Sequence, residues 1–422
     1  MDKKQILYIV IFIIICILLG YGLYFVFFKE KNNNLLPNDS TIGTSTTSSF
    51  PNTNNGQNNF NQVNTNNQNN NTGTNNTISG NDTTNNTNNV DNNFQNLQEK
   101  KLVTKITDLT MQNINKDTSG NGLRFYNNQD GKFYKISANG TVQTISDKVF
   151  FNVSNVTWSP SQNESIIEYP DGVNTYYNFD TQKQVTLPTH WEDFSFAKDG
   201  TEIAAKSIGL DTNNRWLITS DPQGKNIKLI EPMGENADKV IVNWSPNRQI
   251  VALSATGQAL GSERQEILAV GLNKENYKSL IVEGRGIEAQ WSPDGTKLLH
   301  SAYNASSDYK PLLWIVDATP DTMGNNRKPL AINTWASKCT MSDGRFAYCG
   351  VPTYMETGAG FSQEISKFVA DDIYKIDTAT GIKTIIPTTE SHTINSMYVS
   401  DDGSTLYFTD LNQNGVFEIP LK

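Results

Sequence analysis

The chain has 422 residues, a net charge of −9 and three cysteines. Most of that charge, −8, falls on residues 99–422. An acidic domain repels phosphate backbones and gains nothing from counterion release, so nucleic acid is not an expected partner.

In chain order, the first element is an uncharged apolar run from Ile6 to Phe28. At about 1.5 Å per residue it crosses a hydrocarbon layer of roughly 30 Å. It is longer than a signal-peptide core, and no small-x-small cleavage site follows it. Residues 1–31 are therefore expected to be an uncleaved single-pass anchor with its helix over 6–28. Lys3 and Lys4 before the run balance Lys29 and Lys31 after it. A first span so close to the start places the N-terminus in the cytoplasm and the rest outside it. Residues 32–98 follow, dominated by Asn and Thr and without a single Lys or Arg. Such a stretch buries too little apolar surface to offset its ordering entropy and reads as a disordered tether.

From residue 99 onward a phrase recurs: Trp158-Ser159-Pro160, Trp244-Ser245-Pro246 and Trp291-Ser292-Pro293-Asp294-Gly295. Weaker copies align on Phe196, Met341 and Val399, and the spacing along the series stays near that of a one-blade repeat. Each copy is followed by short apolar strands, such as Ile250 to Ser254, Glu266 to Gly271 and Ser279-Leu280-Ile281. Pro and Gly set the turn's backbone angles, and Asp bonds the local amides. A large aromatic beside the turn fills the wedge between neighbouring sheets, which accounts for these Trp residues better than a ligand-stacking ring does. A further copy without Trp starts at Gly122. The fold class expected is all-β: a seven-bladed β-propeller of four-stranded antiparallel blades over 99–422. The last blade lacks an outer strand, and Lys101 to Thr107 has the pattern to supply it.

The Trp-Ser-Pro-Asp-Gly turn, the apolar strand after it and the strand Asp372-Ile373-Tyr374-Lys375-Ile376-Asp377 resemble the WD40-like (PD40) repeat of TolB-type β-propellers. The resemblance covers about residues 100–422. It implies the fold but not one function, since the repeat occurs both in periplasmic scaffold proteins and in the propellers of prolyl-oligopeptidase-like peptidases. Phe196-Ala197-Lys198, Met341-Ser342 and Asn247-Arg248 depart from the pattern, and looser turns are expected there.

Chemistry is sparsely marked. There is no G-x-S-x-G, and His190, His300 and His392 lack metal-ligand spacing. No catalytic residue, cofactor or metal is expected. Asp401-Asp402-Gly403 is explained as a repeat turn. Asp410-x-Asn412-x-Asn414-Gly415 opens like a calcium loop, but Leu421 stands where its bidentate Glu belongs. Cys339 and Cys349 flank the turn 342–345 and either form a disulfide or remain two buried thiols. The better functional signal is loop length: 209–215, 255–265, 302–311 and 350–370 are long and belong to one face. They carry Arg215, Arg264, Tyr303, Tyr309, Tyr354 and Phe361 as candidate binding residues. The expected function is a tethered, non-catalytic binding module, engaging a protein or glycan at the cell envelope as a monomeric propeller. The alternative is an envelope hydrolase or lyase using carboxylates around the central channel.

Overall fold

The computed structural model describes residues 102–275 and 277–422. The expected membrane span (6–28) and linker (32–98) lie outside them. Among the described residues, no helix is long and apolar enough to cross a membrane.

The described strands form seven four-stranded antiparallel sheets. Six are consecutive in the chain: blade 1 (112–144), blade 2 (155–187), blade 3 (191–232), blade 4 (240–282), blade 5 (285–333) and blade 6 (339–386). Blade 7 takes three strands from 394–420 and its fourth from the start of the domain. Thr104 pairs with Glu418 and Lys105 with Phe417. Val103, beside this short strand, is buried against blade 7. The closing strand therefore occupies the outer edge that the last hairpin would otherwise expose.

Seven apolar cores, one per blade interface, show why the sheets form a ring. Tyr126 and Phe133 of blade 1 meet Trp158 and Ile167 of blade 2, and the series continues blade by blade. The last cluster joins Tyr407 and Val416 of blade 7 to Leu123, Phe125 and Ile136 of blade 1. Second strands are covered on both faces by neighbouring blades, so they read as continuous apolar runs instead of alternating ones. Ile250–Ser254 is buried at every position.

The aromatics beside the turns act as inter-blade staples. Trp158 is 4 % exposed, and its indole N–H donates to the Asn113 carbonyl of blade 1 at 2.6 Å. Trp291 reaches the Asn243 carbonyl of blade 4 in the same way, at 3.3 Å.

Two of the three turns expected to be loose are not. The standard turn closes by Gly295 N–H donating to the Ser292 carbonyl at 2.8 Å. Gly200 to Ala197 (2.9 Å) and Arg248 to Ser245 (2.8 Å) repeat that bond. Arg248 sits at φ 65°, where glycine normally stands. Its guanidinium spans Asp199 and Glu202 of the preceding blade, which offsets the strained backbone. In blade 6 the Asp343 carboxylate closes the turn instead, accepting from Arg345 and Phe346 N–H.

Candidate functional site

Antiparallel strands alternate direction, so each blade's first turn lies at one end of the ring. Its second loop and the blade-to-blade connections lie at the other. At this loop end, blade 5 leaves its second strand at Tyr303 and re-enters at Leu312. Between them Asn304 caps the 3-10 turn Ala305–Ser307, accepting from Ser307 N–H on its side chain while its own N–H donates to the Ser307 hydroxyl. Asp308 and Tyr309 then adopt left-handed φ of 54° and 53°. That twist turns their carbonyls toward blade 6, where they accept from Gly358 N–H at 2.9 Å and Gly360 N–H at 2.8 Å.

The loop over 353–370 in blade 6 is thus stitched to its neighbour. Gly360 permits the approach, because a Cβ there would stand 2.6 Å from the Tyr303 side chain. Phe361 packs edge-on to Tyr303 at 4.9 Å between ring centres and stacks on Tyr309 at 5.5 Å. Blade 4 joins from the other side. The Glu263 carboxylate accepts from Ala305 N–H at 2.9 Å, and Glu283 lies 3.5 Å from Arg264 and 2.6 Å from Arg327. Of the six residues singled out in the sequence, Tyr303, Tyr309 and Phe361 form one cluster. Arg264 connects to it through Glu283, whose carbonyl accepts from Asn304 Nδ2 at 3.2 Å. Tyr354 lies on the same insertion and is 63 % exposed. Arg215 is not part of the assembly: its Nε donates to Gly209 within its own loop, at 3.3 Å.

Sequence reasoning singled out Tyr354 and Phe361 on the insertion but missed Ile365, Phe368 and what roots it. Phe361 remains 65 % exposed despite its contacts, Phe368 is 88 % exposed and Ile365 is exposed beside them. The root is ionic and buried. Lys338, on the connection from blade 5 to blade 6, places its ammonium 2.6 and 2.7 Å from the two oxygens of Asp371, where the insertion re-enters its blade. Both side chains are fully buried. Asp371 also accepts from Ile394 N–H of blade 7 at 2.6 Å. Burial pushes the lysine below its ordinary value and the aspartate above its own, while their mutual attraction works against both shifts.

A second dyad lies alongside. His392 Nδ1 is 2.9 Å from Asp410, which also accepts from Thr393 and Asn412 N–H. With the carboxylate ionised, Nδ1 carries the proton, and His392 Nε2 is left buried without a hydrogen-bond partner. Asn412 Nδ2 ties the insertion to blade 7 by donating to the Lys367 carbonyl at 3.0 Å. These commitments explain the calcium-like spacing around Asp410 as a structural turn. The sequence marked Asp410 through that spacing and His392 only as a histidine without metal-ligand spacing, and gave no sign of the Lys338–Asp371 pair.

The remaining features divide between structure and chemistry. The sulfurs of Cys339 and Cys349 are 2.13 Å apart, on directly paired positions of adjacent strands. Asp402 serves its turn: the Ser400 hydroxyl and Ser404 N–H hold its carboxyl down at about 2. His190 is exposed and His300 fully buried. At the mouth between blades 2 and 3, burial raises the Glu168 carboxyl, the Asn155 amide lowers it, and Asp193 and Glu192 raise it further. Asp193 sits at φ 54° in a bulge of the innermost strand, paired with Lys206 at 2.5 Å. Among the described residues, no group of three His, Cys, Asp or Glu is placed to hold a metal.

Fold and site define a seven-bladed β-propeller with one built-up loop face. No protein-family model matches the chain, and no curated protein matches it. Solved structures do. The β-propeller domain of Myceliophteria thermophila Cps50 (Swd1) superposes with a TM-score of 0.51 at 10 % identity, over 76 % of this chain and 100 % of that one. The tricorn protease gives 0.48 at 11 % identity, over 76 % of this chain, which spans about a third (34 %) of that protein's length. An oligogalacturonate lyase in complex with manganese gives 0.49 at 13 %, over 76 % and 93 % of the two chains. At such identities the likeness is one of fold.

Proposed function

We propose that this chain is a membrane-tethered, extracytoplasmic binding module that captures a protein partner at the cell envelope on the loop face of blades 4 to 6. The observation that carries the reading is the insertion over 353–370. It presents Tyr354, Phe361, Ile365 and Phe368 to solvent while its base is fixed by the Lys338–Asp371 pair. Large apolar side chains held outward on a rigid root are the usual anatomy of an interface core. A glycan would be favoured by more hydrogen-bonding groups among the exposed side chains than these four provide. The resemblance to TolB-type repeats supports the scaffold role, and the apolar run at 6–28 supports the anchor.

The test is capture from envelope extract by the full chain and by a Tyr354→Ala/Phe368→Ala variant. Both residues are exposed, so the thermal midpoint should stay within about 1 °C while capture is lost; retained capture contradicts the reading. A second reading, an envelope hydrolase or lyase, draws on Glu168, whose raised carboxyl beside Asp193 and Glu192 has the character of a general acid. Turnover of oligosaccharides by the wild-type chain, abolished in Glu168→Gln, would favour it.

A further inference from the structure

At the opposite end of the ring, the first turns of the blades surround a recess of about 610 Å³. Its apolar wall is formed by Phe196, Trp244, Trp291, Met341, Pro246 and Pro293 of blades 3 to 6, and polar residues, many of them from blades 1, 2 and 7, line the rest. That volume is in the range of organic-ligand pockets, and an apolar wall facing polar groups suits a ligand with one charged end.

The charges at its rim are unequal in what they have left to offer. Asp401 is held by Lys116 at 2.7 Å. Asp117 is held by Lys135 at 3.1 Å, the Ser119 hydroxyl at 2.6 Å and Gly122 N–H at 3.2 Å. Each carboxylate is therefore offset by a lysine of its own. Lys198 differs. It rises from the blade 3 turn, passes the blade 4 turn and donates to the Pro293 carbonyl of blade 5 at 2.8 Å. Among the described residues no carboxylate lies within ion-pair distance of it, so its charge is uncompensated and two of its N–H groups remain.

We propose that this recess binds an apolar carboxylate, either a free organic acid or the C-terminal end of a polypeptide. The carboxylate takes the Lys198 ammonium, and the apolar body lies against Trp244 and Trp291. The N–H groups left free thereby gain a charged acceptor, which makes a stronger hydrogen bond than a neutral one. The site is distinct from the loop face and does not depend on capture there.

The experiment is calorimetric titration of the full chain with four probes: N-acetylphenylalanine, its amide, a hexapeptide of five alanines ending in phenylalanine, and that peptide's amide. At least one free acid should bind saturably and at least tenfold more tightly than its amide. Lys198→Gln should bring the acid down to the amide's affinity with an unchanged thermal midpoint, and Trp291→Ala should weaken acid and amide alike. Tighter binding of the peptide than of the amino acid supports a polypeptide end, and equal binding supports a small acid. If acids and amides bind equally, if Lys198→Gln changes nothing, or if no probe saturates, the proposal is overturned.

Discussion

The interface between blades 1 and 2 and the one between blades 6 and 7 perform the same mechanical task with opposite chemistry. The first is a knot of rings: Phe133 meets Phe150, Trp158 and Phe179 at 5.0 to 5.5 Å between centres, and Tyr177 meets Phe179 at 5.0 Å. The second keeps an apolar centre around Phe408 and Phe417 but adds two buried ionisable dyads at its loop end. Ring packing holds blades together wherever it occurs and carries no information about a particular strand. A buried charge pair is satisfied only by one partner in one geometry. It appears where there is the most to position, at the root of the longest loop among the described residues.

The comparison can be broken at either interface. Trp158→Ala removes a buried ring and its bond to Asn113, and should cost about 3–5 kcal/mol by denaturant titration, the largest effect expected of a single substitution here. At the other interface, Lys338→Met leaves Asp371 buried and uncompensated, at a cost of about 3 kcal/mol. The double change Lys338→Met/Asp371→Asn should recover more than half of that, because an amide oxygen still accepts from Ile394 N–H and no charge remains. A single substitution no more harmful than a surface change would show that the pair is not needed to hold the root.

His300 sharpens the contrast from between the two. It is fully buried in blade 5 beside Trp314, at 6.5 Å between ring centres, and neither ring nitrogen has a partner. Burial, with a smaller contribution from Arg327, lowers its titration to about 3. The fold therefore keeps the neutral form, whereas the unfolded chain takes up the proton near pH 6.5. Stability is retained above that pH and lost as pH falls from about 6.5 toward 3, by about 3 kcal/mol at pH 4. His300→Leu should flatten this part of the stability curve, and an unchanged slope would contradict the assignment. The smallest effect is expected at Asp402, whose contribution is present above about pH 4 and lost as pH falls toward 2, so Asp402→Asn should lower stability slightly above pH 4 and flatten the curve between about 4 and 2.

How much of this was legible follows from the same contrast. Trp158, Trp244 and Trp291 announce blades because turn chemistry and wedge packing act through nearest neighbours, and the same turn returns in copy after copy. The closing strand was legible because an unpaired edge in blade 7 demands one. The looser turns expected at Asn247-Arg248 and Phe196-Ala197-Lys198 were misread, because Arg248 is rescued by Asp199 and Glu202, which belong to the preceding blade. The same limit hid the root of the insertion. Lys338, Asp371, His392 and Asp410 are far apart in the sequence and converge only once three blades are in place. Long loops could be counted from sequence, but that Tyr303, Tyr309 and Phe361 would meet while Arg215 turned away depended on the backbone twist at Asp308 and Tyr309.

The central claim is that recognition occurs on the loop face and is centred on the blade 6 insertion. Site-specific photo-crosslinking tests it most directly, with a benzophenone side chain placed in turn at Phe361, Phe368 and, on the opposite end, the exposed Thr296. Adducts of one mass from the first two positions and none from the third are predicted. Adducts from Thr296 alone, or from all three positions alike, would contradict it.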